Sequence, residues 1–254
     1  MFKQLYIDPT AVYLKSDTDA KTGYMIVKRI IDILAVLLSA VLWIPLFVAV
    51  AAAVKLTSAG PALFKQTRVG KDGAHFTIYK FRSMYVDAPS DVPTHLLEDA
   101  NALITPLGHY IRKYCLDELP QLLNVLKGEL TLVGPRPALP SQTDLLRLRI
   151  QSGADTLVPG MTGLAQITGR DAISIKAKAA YDGAYYQRMR LYYDFSILAW
   201  TVFVLFHGHG FVEGKQAKTM ASQSAQAAIA ATQEPTCKGH ASQNRKSKSK
   251  SKKK

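Results

Sequence analysis

The stretch YCLDELPQLLNVLKGELTLVGPRP, residues 114 to 137, places two adjacent carboxylates, Asp117 and Glu118, just ahead of an apolar helical period. A rigid Pro-Arg-Pro turn carries Arg136 some 18 residues further on. A carboxylate can attack phosphorus or bind a divalent metal ion, and an arginine binds phosphate through two parallel N–H groups. This combination predicts a site that holds phosphate, metal and nucleophile together, although an acidic pair alone can simply stabilise a helix start.

Local sequence places the acidic pair at the beginning of a helix. Pro120 disfavours helical geometry at the residue before it and is itself favoured at the first helical position, so we expect the helix to begin at about Pro120. Gly128 is suited to end it. The expected buried face consists of leucines at helical spacing, Leu119, Leu122, Leu123 and Leu126. Asp117 and Glu118 then lie at the helix N-terminus, where free backbone N–H groups favour negative charge.

Basic residues precede this region on a predicted β-hairpin. In GPALFKQTRVGKDGAHFTIYKFRSM, residues 60 to 84, two β-favouring runs flank Asp72-Gly73, a hairpin signal. Four cations lie on or beside the hairpin, namely Lys65, Arg68, Lys80 and Arg82. They are either solvated residues that discourage edge pairing or a cradle for a polyanion such as a diphosphate. Further on, PGMTGLAQITGRD (159 to 171) presents Arg170 on a loop, for which ordinary turn chemistry is the simpler interpretation.

An apolar block, residues 30 to 54, contains a single charge, Asp32. At ~1.5 Å per helical residue it would be about 37 Å long, and hydropathy alone favours a helix that spans the ~30 Å of hydrocarbon. Pro45 is expected to kink or break this helix, and basic residues flank both ends, which the positive-inside rule assigns to the cytoplasmic face. A helix-break-helix that enters one leaflet and returns satisfies both observations. A second apolar stretch, residues 191 to 206, predicts either an interfacial helix or a buried core helix.

Composition separates a basic tail from the rest of the chain. The formal charge is +13, but residues 215 to 254 carry ten Lys/Arg against one acid, which leaves +4 on the other residues. Because its end, NRKSKSKSKKK, lacks apolar residues, we expect the tail to be disordered and attracted to anionic lipid or nucleic acid. Cys115 and Cys237 indicate no disulfide framework, and a reducing compartment is the simplest interpretation.

Several segments together resemble the bacterial sugar transferases, the monotopic phosphoglycosyl transferases that begin glycan assembly on a polyprenyl phosphate carrier. The matching segments are, in chain order, KRIID (28 to 32), residues 60 to 84, LDELPQLLNVLKGELTLVGPRP (116 to 137), PGMTGLAQITGR (159 to 170), and Asp182 with Tyr185. They cover roughly residues 25 to 205 and match the short form of the family. Two features depart from it: the family's Ser-Pro break is Ile44-Pro45 here, and the basic tail is not part of the family core.

The resemblance implies an α+β, mainly helical fold. It consists of a single membrane-associated catalytic domain with an N-terminal re-entrant membrane helix, a β-hairpin and interfacial amphipathic helices. We accordingly divide the chain into a polar N-terminal segment (1 to 24), the re-entrant membrane helix (25 to 56), the catalytic domain (57 to 210) and a disordered basic tail (215 to 254).

The resemblance also implies a reaction. The family transfers a phosphosugar from a UDP-sugar to undecaprenyl phosphate with Mg²⁺ and releases UMP. Carried onto this sequence, it implies Asp117 as the catalytic nucleophile, Glu118 as a catalytic Mg²⁺ ligand, and Arg136 as the residue that orients the donor. Weaker phosphate-binding candidates are Lys80, Arg82, Arg112 and Arg170. Asp182 would position the acceptor phosphate or a group next to it.

The expected location is the cytoplasmic face of the bacterial inner membrane. The expected partners are a UDP-sugar, undecaprenyl phosphate and membrane lipids, with no nucleic acid and with a homodimer left open.

Two rival hypotheses remain. One is a membrane-tethered basic scaffold that binds anionic lipid or nucleic acid, in which the acidic pair is only a helix start. The other is an ordinary UDP-sugar glycosyltransferase that uses Asp17 and Asp19 and releases UDP.

Overall fold

The structure, a computed structural model, describes residues 22–89, 101–169 and 173–207. Within these ranges the helices are α1 (Thr22–Leu38), α2 (Ala40–Thr57), α3 (Pro106–Lys113), α4 (Gln121–Lys127), α5 (Thr143–Ser152), α6 (Leu164–Thr168), α7 (Ile175–Arg188) and α8 (Leu191–His207). The strands are β1 (Leu63–Val69), β2 (His75–Phe81), β3 (Thr131–Val133) and β4 (Gly160–Thr162). The described part is therefore mainly helical with small sheets, as expected. The basic tail, Arg170 and most of the polar N-terminal segment lie outside the described residues.

The apolar block folds as two helices that are interrupted at Ser39 rather than at Pro45. Two backbone carbonyls at the interruption receive side-chain donors. Ser39 Oγ donates to Ala35 O at 2.7 Å, and Trp43 Nε1 donates to Val36 O at 3.0 Å. Because α2 continues through Pro45, the predicted break at that residue is wrong. A long apolar helix tolerates the loss of the one backbone hydrogen bond that a proline removes. At the interruption, Ser39 and Trp43 instead supply side-chain donors to helix carbonyls.

Helix α2 is apolar and largely unburied. In the part of the chain that the structure describes, it is the one helix long and apolar enough to cross a bilayer, with 18 residues. Val50 and Val54 pack against the rest of the protein, whereas most of its large apolar side chains are exposed, among them Val41, Leu42 and Leu56. An exposed apolar surface of this extent is typical of contact with a membrane or with another protein.

Strands β1 and β2 form the predicted antiparallel hairpin, with Leu63 opposite Phe81. The turn passes through Asp72 at φ 53° and Gly73 at φ 78°, a left-handed backbone that this residue pair tolerates. Phe81 packs against Phe47 of α2, with ring centroids 4.9 Å apart. The base of the hairpin therefore rests on the inner face of α2.

Helix α4 begins and ends where the sequence predicts, but its most buried positions differ from the predicted ones. Pro120 directly precedes its first residue, and Gly128 ends it at φ 91°. The predicted buried leucines are only half-buried, whereas Gln121, Asn124 and Val125 are buried. The leucine face is therefore confirmed in part, since Leu119, Leu122 and Leu126 pack against apolar clusters. Polar side chains occupy some of the most buried positions.

Asn124 explains this difference because its side-chain amide joins α4 to strand β2. Its Nδ2 donates to Thr77 O at 2.8 Å, and its Oδ1 accepts from Tyr79 N at 3.2 Å. The same Nδ2 donates to the Glu129 carboxylate at 2.6 Å. A buried amide satisfied in this way is stable in the interior. It holds the helix that follows the acidic pair at a fixed position against the hairpin.

Strand β3 confirms the predicted strand-like run, and it pairs in parallel with β4, which the sequence did not predict. Gly134 N donates to Thr162 O and Gly160 N donates to Pro135 O, each at 2.8 Å. A Cβ at Gly160 would lie 2.1 Å from Gly134 N, so this close approach requires glycine. Backbone hydrogen bonds therefore hold the turn that carries Arg136 against the small parallel sheet.

Helix α8, the second apolar stretch, has two different faces. Ile197 is buried among the apolar residues of the neighbouring helices and Val204 is also buried, whereas Tyr192, Phe195 and Phe203 are exposed. The inner face is what a buried core helix requires. An interfacial position for the outer aromatic face stays a prediction.

Candidate active site

Glu118 is the centre of an ion cluster that joins three separate segments. Its Oε1 accepts from Lys80 Nζ of strand β2 at 3.3 Å and from Arg136 NH2 of the Pro-Arg-Pro turn at 2.9 Å. The Glu118 and Lys80 side chains are only 18% and 16% exposed, so salt screens their attraction less than it would on an open surface. The structure thus brings together three residues that the sequence analysis selected from distant positions.

Asp117 and Glu118 lie in a short 3₁₀ turn, Leu116–Glu118. The residue before this turn, Cys115, has φ 53°, a left-handed conformation that is uncommon for a residue with a Cβ. This one residue carries the chain from the end of α3 into the acidic pair without an intervening loop.

Asp117 lines a cavity of about 430 Å³ beside the hairpin, which we call the cationic cleft. Its basic lining residues are Lys65, Arg68, Lys80, Arg82 and Arg112. Among the described residues that line it, Asp117 is the one acid. Small-molecule sites typically have volumes of ~300–1,000 Å³, and an excess of cations favours an anionic ligand. This arrangement supports the cradle interpretation of the hairpin cations over that of solvated edge residues.

Burial raises the pKa of the Asp117 carboxyl above its ordinary value. The cations Lys80, Arg112 and Arg136 lower this pKa, and the neighbouring Glu118 carboxylate raises it further. A carboxyl group with a pKa perturbed by desolvation and by specific charge partners, inside a cleft, is typical of a functional site.

Arg82 is buried and joins the cationic cleft to the end of α2. Its NH2 donates to Ser58 O at 2.8 Å and to Ser58 Oγ at 2.7 Å, and Ser58 directly follows α2. Its Nε and NH1 have no hydrogen-bond partner among the residues that the structure describes. Buried donors normally have a partner, so these two groups are suited to an anionic ligand that enters the cleft.

Lys28 and Arg29 fasten α1 to the rest of the protein. Arg29 donates to Leu126 O at 3.0 Å and to Val125 O, two carbonyls in the last turn of α4. Lys28 Nζ donates to Asp194 of α8 at 3.0 Å. From the sequence, these cations were expected to flank the apolar block. Arg29 also holds α1 against the helix that follows the acidic pair, and Lys28 holds it against α8.

Asp182 lies apart from the cationic cleft. Its Oδ2 accepts from Arg149 Nε at 2.9 Å and from Arg149 NH2 at 2.7 Å, and the two side chains are 2% and 8% exposed. Burial raises the pKa of Asp182, and Arg149 lowers it. Because this ion pair joins α5 to α7, the structure does not bring Asp182 to the predicted phosphate-binding group. The predicted site residues Asp117, Glu118, Lys80, Arg82, Arg112 and Arg136 do line the cleft or its ion cluster.

Sequence reasoning missed Asn124 and Ser58, which position the site. A polar residue beside the leucines of an apolar helical period was a signal for Asn124, since a buried amide needs specific partners. Ser58 carried no such signal, because a serine at the end of an apolar helix is ordinary. Its contact with Arg82 depends on the hairpin folding back onto α2.

Comparison with known proteins agrees with this geometry. The sequence profile of the bacterial sugar transferases matches residues 23–208. The chain belongs to the bacterial sugar transferase family. The resemblance drawn from the sequence segments is therefore confirmed, and the protein is a transferase.

Individual members of the family are similar over most of this chain. It is 42% identical over 178 residues to the uncharacterized sugar transferase EpsL of Bacillus subtilis, which covers 70% of this chain and 86% of that protein. It is 40% identical over 184 residues to the UDP-glucose:undecaprenyl-phosphate glucose-1-phosphate transferase of Caulobacter vibrioides, with 69% and 68% covered. It is 36% identical over 192 residues to the UDP-N-acetylgalactosamine-undecaprenyl-phosphate N-acetylgalactosaminephosphotransferase of Aeromonas hydrophila, with 74% and 45% covered. The chain thus spans less than half of this longer relative.

Proposed function

We propose that this sugar transferase moves a sugar 1-phosphate from a UDP-sugar to undecaprenyl phosphate and releases UMP. The observation that supports the proposal is the cationic cleft. Asp117 and five basic side chains line this cleft, which adjoins the Glu118 ion cluster. The names of the C. vibrioides and A. hydrophila relatives describe reactions of this kind. The lipid-linked product would begin a surface glycan, such as an O-antigen, capsule, exopolysaccharide or glycoprotein glycan.

The reaction proceeds in two displacements at one phosphorus atom. A carboxylate oxygen of Asp117 attacks the phosphorus that carries the sugar, a new P–O bond forms, and the bond to the bridging oxygen breaks so that UMP leaves. A phosphate oxygen of undecaprenyl phosphate then attacks the same phosphorus, forms the diphosphate and returns Asp117 as a carboxylate. Two steps allow a soluble donor and a lipid acceptor to use one cleft in turn.

The basic residues make attack by an anion on an anion possible. Lys80, Arg112 and Arg136 lie close enough to lower the pKa of Asp117, so the same charges act on the phosphoryl group beside it. Fixed cations in a partly buried cleft stabilise developing negative charge without reorganising. Arg136, which is 41% exposed, remains accessible to the donor while it contacts Glu118.

Mg²⁺ fits this site in combination with substrate phosphates. The described residues contain no group of three or more His, Cys, Asp or Glu side chains that could hold a metal ion by themselves. Mg²⁺ usually binds one or two carboxylates together with phosphate oxygens, and Glu118 supplies one such carboxylate. Glu118 would hold the ion, which neutralises diphosphate charge when bound.

UMP release tests the proposed reaction. The detergent-solubilised enzyme is incubated with Mg²⁺, undecaprenyl phosphate and each of a panel of UDP-sugars, and at least one sugar should give UMP and a lipid-linked product. Release of UDP instead would indicate an ordinary glycosyltransferase. The scaffold hypothesis expects no turnover, and it expects lipid or nucleic-acid binding to disappear when residues 215 to 254 are deleted. A homodimer and the lack of a nucleic-acid partner stay predictions.

The proposal includes a re-entrant anchor that places the enzyme on the cytoplasmic face of the inner membrane. Arg29, near the start of α1, contacts α4, and Ser58, at the end of α2, contacts Arg82 of the hairpin. Both outer ends of the helix pair therefore contact the same catalytic body. A helix pair interrupted at Ser39 that enters and leaves through one face satisfies these contacts, whereas a single span would separate them.

Cysteine labelling tests this topology. In a chain whose Cys115 and Cys237 are replaced by serine, Thr22→Cys reports the start of α1 and Asp72→Cys reports the hairpin that follows α2. A membrane-impermeant maleimide should label both in inverted vesicles and neither in intact spheroplasts. Labelling of the two positions from opposite sides would contradict the re-entrant anchor. Detergent-treated membranes provide the control that both cysteines can react.

Replacing Gly60 with alanine is expected to raise the KM for the UDP-sugar about tenfold, the effect of one weakened charge-assisted contact. Gly60 has φ +111°, and an added Cβ would lie 2.3 Å from Arg82 NH1, so the guanidinium must move. Gly73→Ala is the matched control, since Gly73 has φ +78° but its Cβ would meet nothing within 4 Å. Thermal unfolding should show a similar loss for both variants, about 1 kcal/mol from backbone strain. Equal KM values in the two variants would contradict a binding role for Arg82.

A further inference from the structure

The cationic cleft has an apolar side that the proposed chemistry at phosphorus does not use. Besides its cations, the cleft is lined by apolar residues that follow α2 and β2, namely Pro61, Met84, Tyr85, Val86, Ala88 and Pro89. We call this set the apolar wall. Tyr85 is 48% exposed and Val86 is 63% exposed. An exposed apolar wall beside a group of cations matches a ligand that has an anionic head and an apolar chain.

The apolar wall begins where the membrane-type helix ends. A Cβ at Gly60 would lie 3.0 Å from Val86 Cγ2, so Val86 packs directly against the chain that leaves α2 at Thr57. Arg82, which precedes the wall, is bonded to Ser58 at the same helix end. A ligand on the wall would therefore lie between the outer end of α2 and the catalytic carboxylate, Asp117.

Phe81 connects the lining of the cleft to the apolar cluster beneath the hairpin. It lines the cleft and also packs against Phe47 and Val54 in the apolar cluster beneath the hairpin. The inner apolar face of α2 thus supports the lining of the cleft, so the wall and the cations lie close to the end of the candidate membrane helix.

We propose that the apolar wall binds the first isoprene units of the polyprenyl phosphate acceptor and directs its phosphate to Asp117. This inference rests on the proposed function, since it assigns a subsite within the same cleft. A nucleotide carries polar groups on its base edges, ribose and phosphates, and Val86, Ala88 and Pro89 offer no polar side chain to pair with them. A polyprenyl monophosphate complements both parts of the cleft, because its phosphate meets the cations and its chain covers the exposed wall.

Steady-state kinetics on the full chain separates this subsite from donor binding. In Val86→Ser, the KM for undecaprenyl phosphate should rise about fivefold, because the lost apolar contact no longer contributes to binding. The KM for the UDP-sugar should stay unchanged. Val86→Leu, which keeps an apolar side chain, should leave the KM for undecaprenyl phosphate at the wild-type value. Ile150→Ser is the matched control, since Ile150 is 60% exposed on α5 and does not line the cleft.

Acceptor chain length gives a readout that a purely structural role would not change. In the wild-type enzyme, extending the acceptor from geranyl phosphate to farnesyl phosphate should lower its KM, and Val86→Ser should weaken this dependence. A rise in the KM for the UDP-sugar instead would overturn the proposal and assign the wall to the donor. Unchanged constants for both substrates would overturn it as well.

Photolabelling tests the subsite without turnover. Farnesyl phosphate that carries a photoreactive group on its first isoprene unit should label residues 84 to 89 of the wild-type chain, and Val86→Ser should reduce that labelling. The same probe without phosphate should label these residues weakly. Labelling elsewhere would overturn the subsite, even if the enzyme proves active. Specific labelling without UMP release from any UDP-sugar would retain the subsite and contradict the proposed reaction.

Discussion

Replacing Asp117 with asparagine is expected to lower kcat by more than about a thousandfold, as removal of a covalent nucleophile does in other enzymes. The amide has nearly the same shape but is a poor nucleophile, so phosphate binding should change little. In the wild-type enzyme with donor, Mg²⁺ and no lipid acceptor, we expect a burst of about one UMP per active site and a phosphosugar on Asp117. Rapid-quench measurement of UMP and mass spectrometry of the protein check both results.

Glu118→Gln is the matched variant for this experiment. It removes one charge from the same turn and loses the ion pairs of Glu118 with Lys80 and Arg136. We expect it to raise the Mg²⁺ concentration required for activity while the covalent adduct still forms, because the proposed mechanism gives the ion to Glu118 and the attack to Asp117. Near-normal turnover in Asp117→Asn would contradict the two-step mechanism. UMP release that strictly requires the acceptor, with no adduct, would favour direct attack by the lipid phosphate.

The second large effect concerns the buried ion pair between Arg149 and Asp182. Arg149→Met should lower the free energy of unfolding by about 3–5 kcal/mol, because it leaves a buried carboxylate without its cation. The Asp182 carboxyl is almost fully buried, and burial already raises its pKa. Thermal and denaturant unfolding of the detergent-solubilised protein, followed by circular dichroism, measures the loss.

A double variant separates the structural role of this pair from a role in substrate binding. In Arg149→Met with Asp182→Leu, no buried charge remains, so most of the stability should return. If the pair only joins α5 to α7, the double variant should also regain activity. A stable but inactive double variant would instead support the prediction that Asp182 acts on the acceptor phosphate.

Residue types and local spacing determined several elements of this protein without tertiary information. The hairpin turn at Asp72-Gly73, the helix start after Pro120 and the helix stop at Gly128 depend on the backbone preferences of one or two residues. The acidic pair and the arginine turn were recognisable for the same reason, since their chemistry depends on residue type. The matching segments occur in the same chain order as in the family, and this resemblance predicted the reaction.

The tertiary structure decided which of these residues meet. Lys80 and Arg136 reach Glu118 because two sets of hydrogen bonds fix the segments that carry them. Asn124 holds α4 against β2, and backbone bonds hold the arginine turn against the parallel sheet. The hydrophobic period of α4 favoured its leucines as the buried face, and three of them do pack against apolar clusters. Hydrogen bonds with a distant strand additionally made Asn124 fully buried. Long-range pairing of this kind leaves no periodic signal in the sequence.

The interruption of the apolar block and the position of Asp182 were also decided by tertiary contacts rather than by local sequence. Proline chemistry favoured Pro45 as the break, but the break lies at Ser39, where donors from Ser39 and Trp43 bond to helix carbonyls. Asp182 belongs to a matching segment of the family, yet Arg149 on a neighbouring helix neutralises it inside the core. Sequence alone determined the hairpin turn, the ends of α4 and the reactive groups. Only the fold decided which buried polar groups become partners, because a buried charge or amide is stable only against a specific partner that the chain brings from far away.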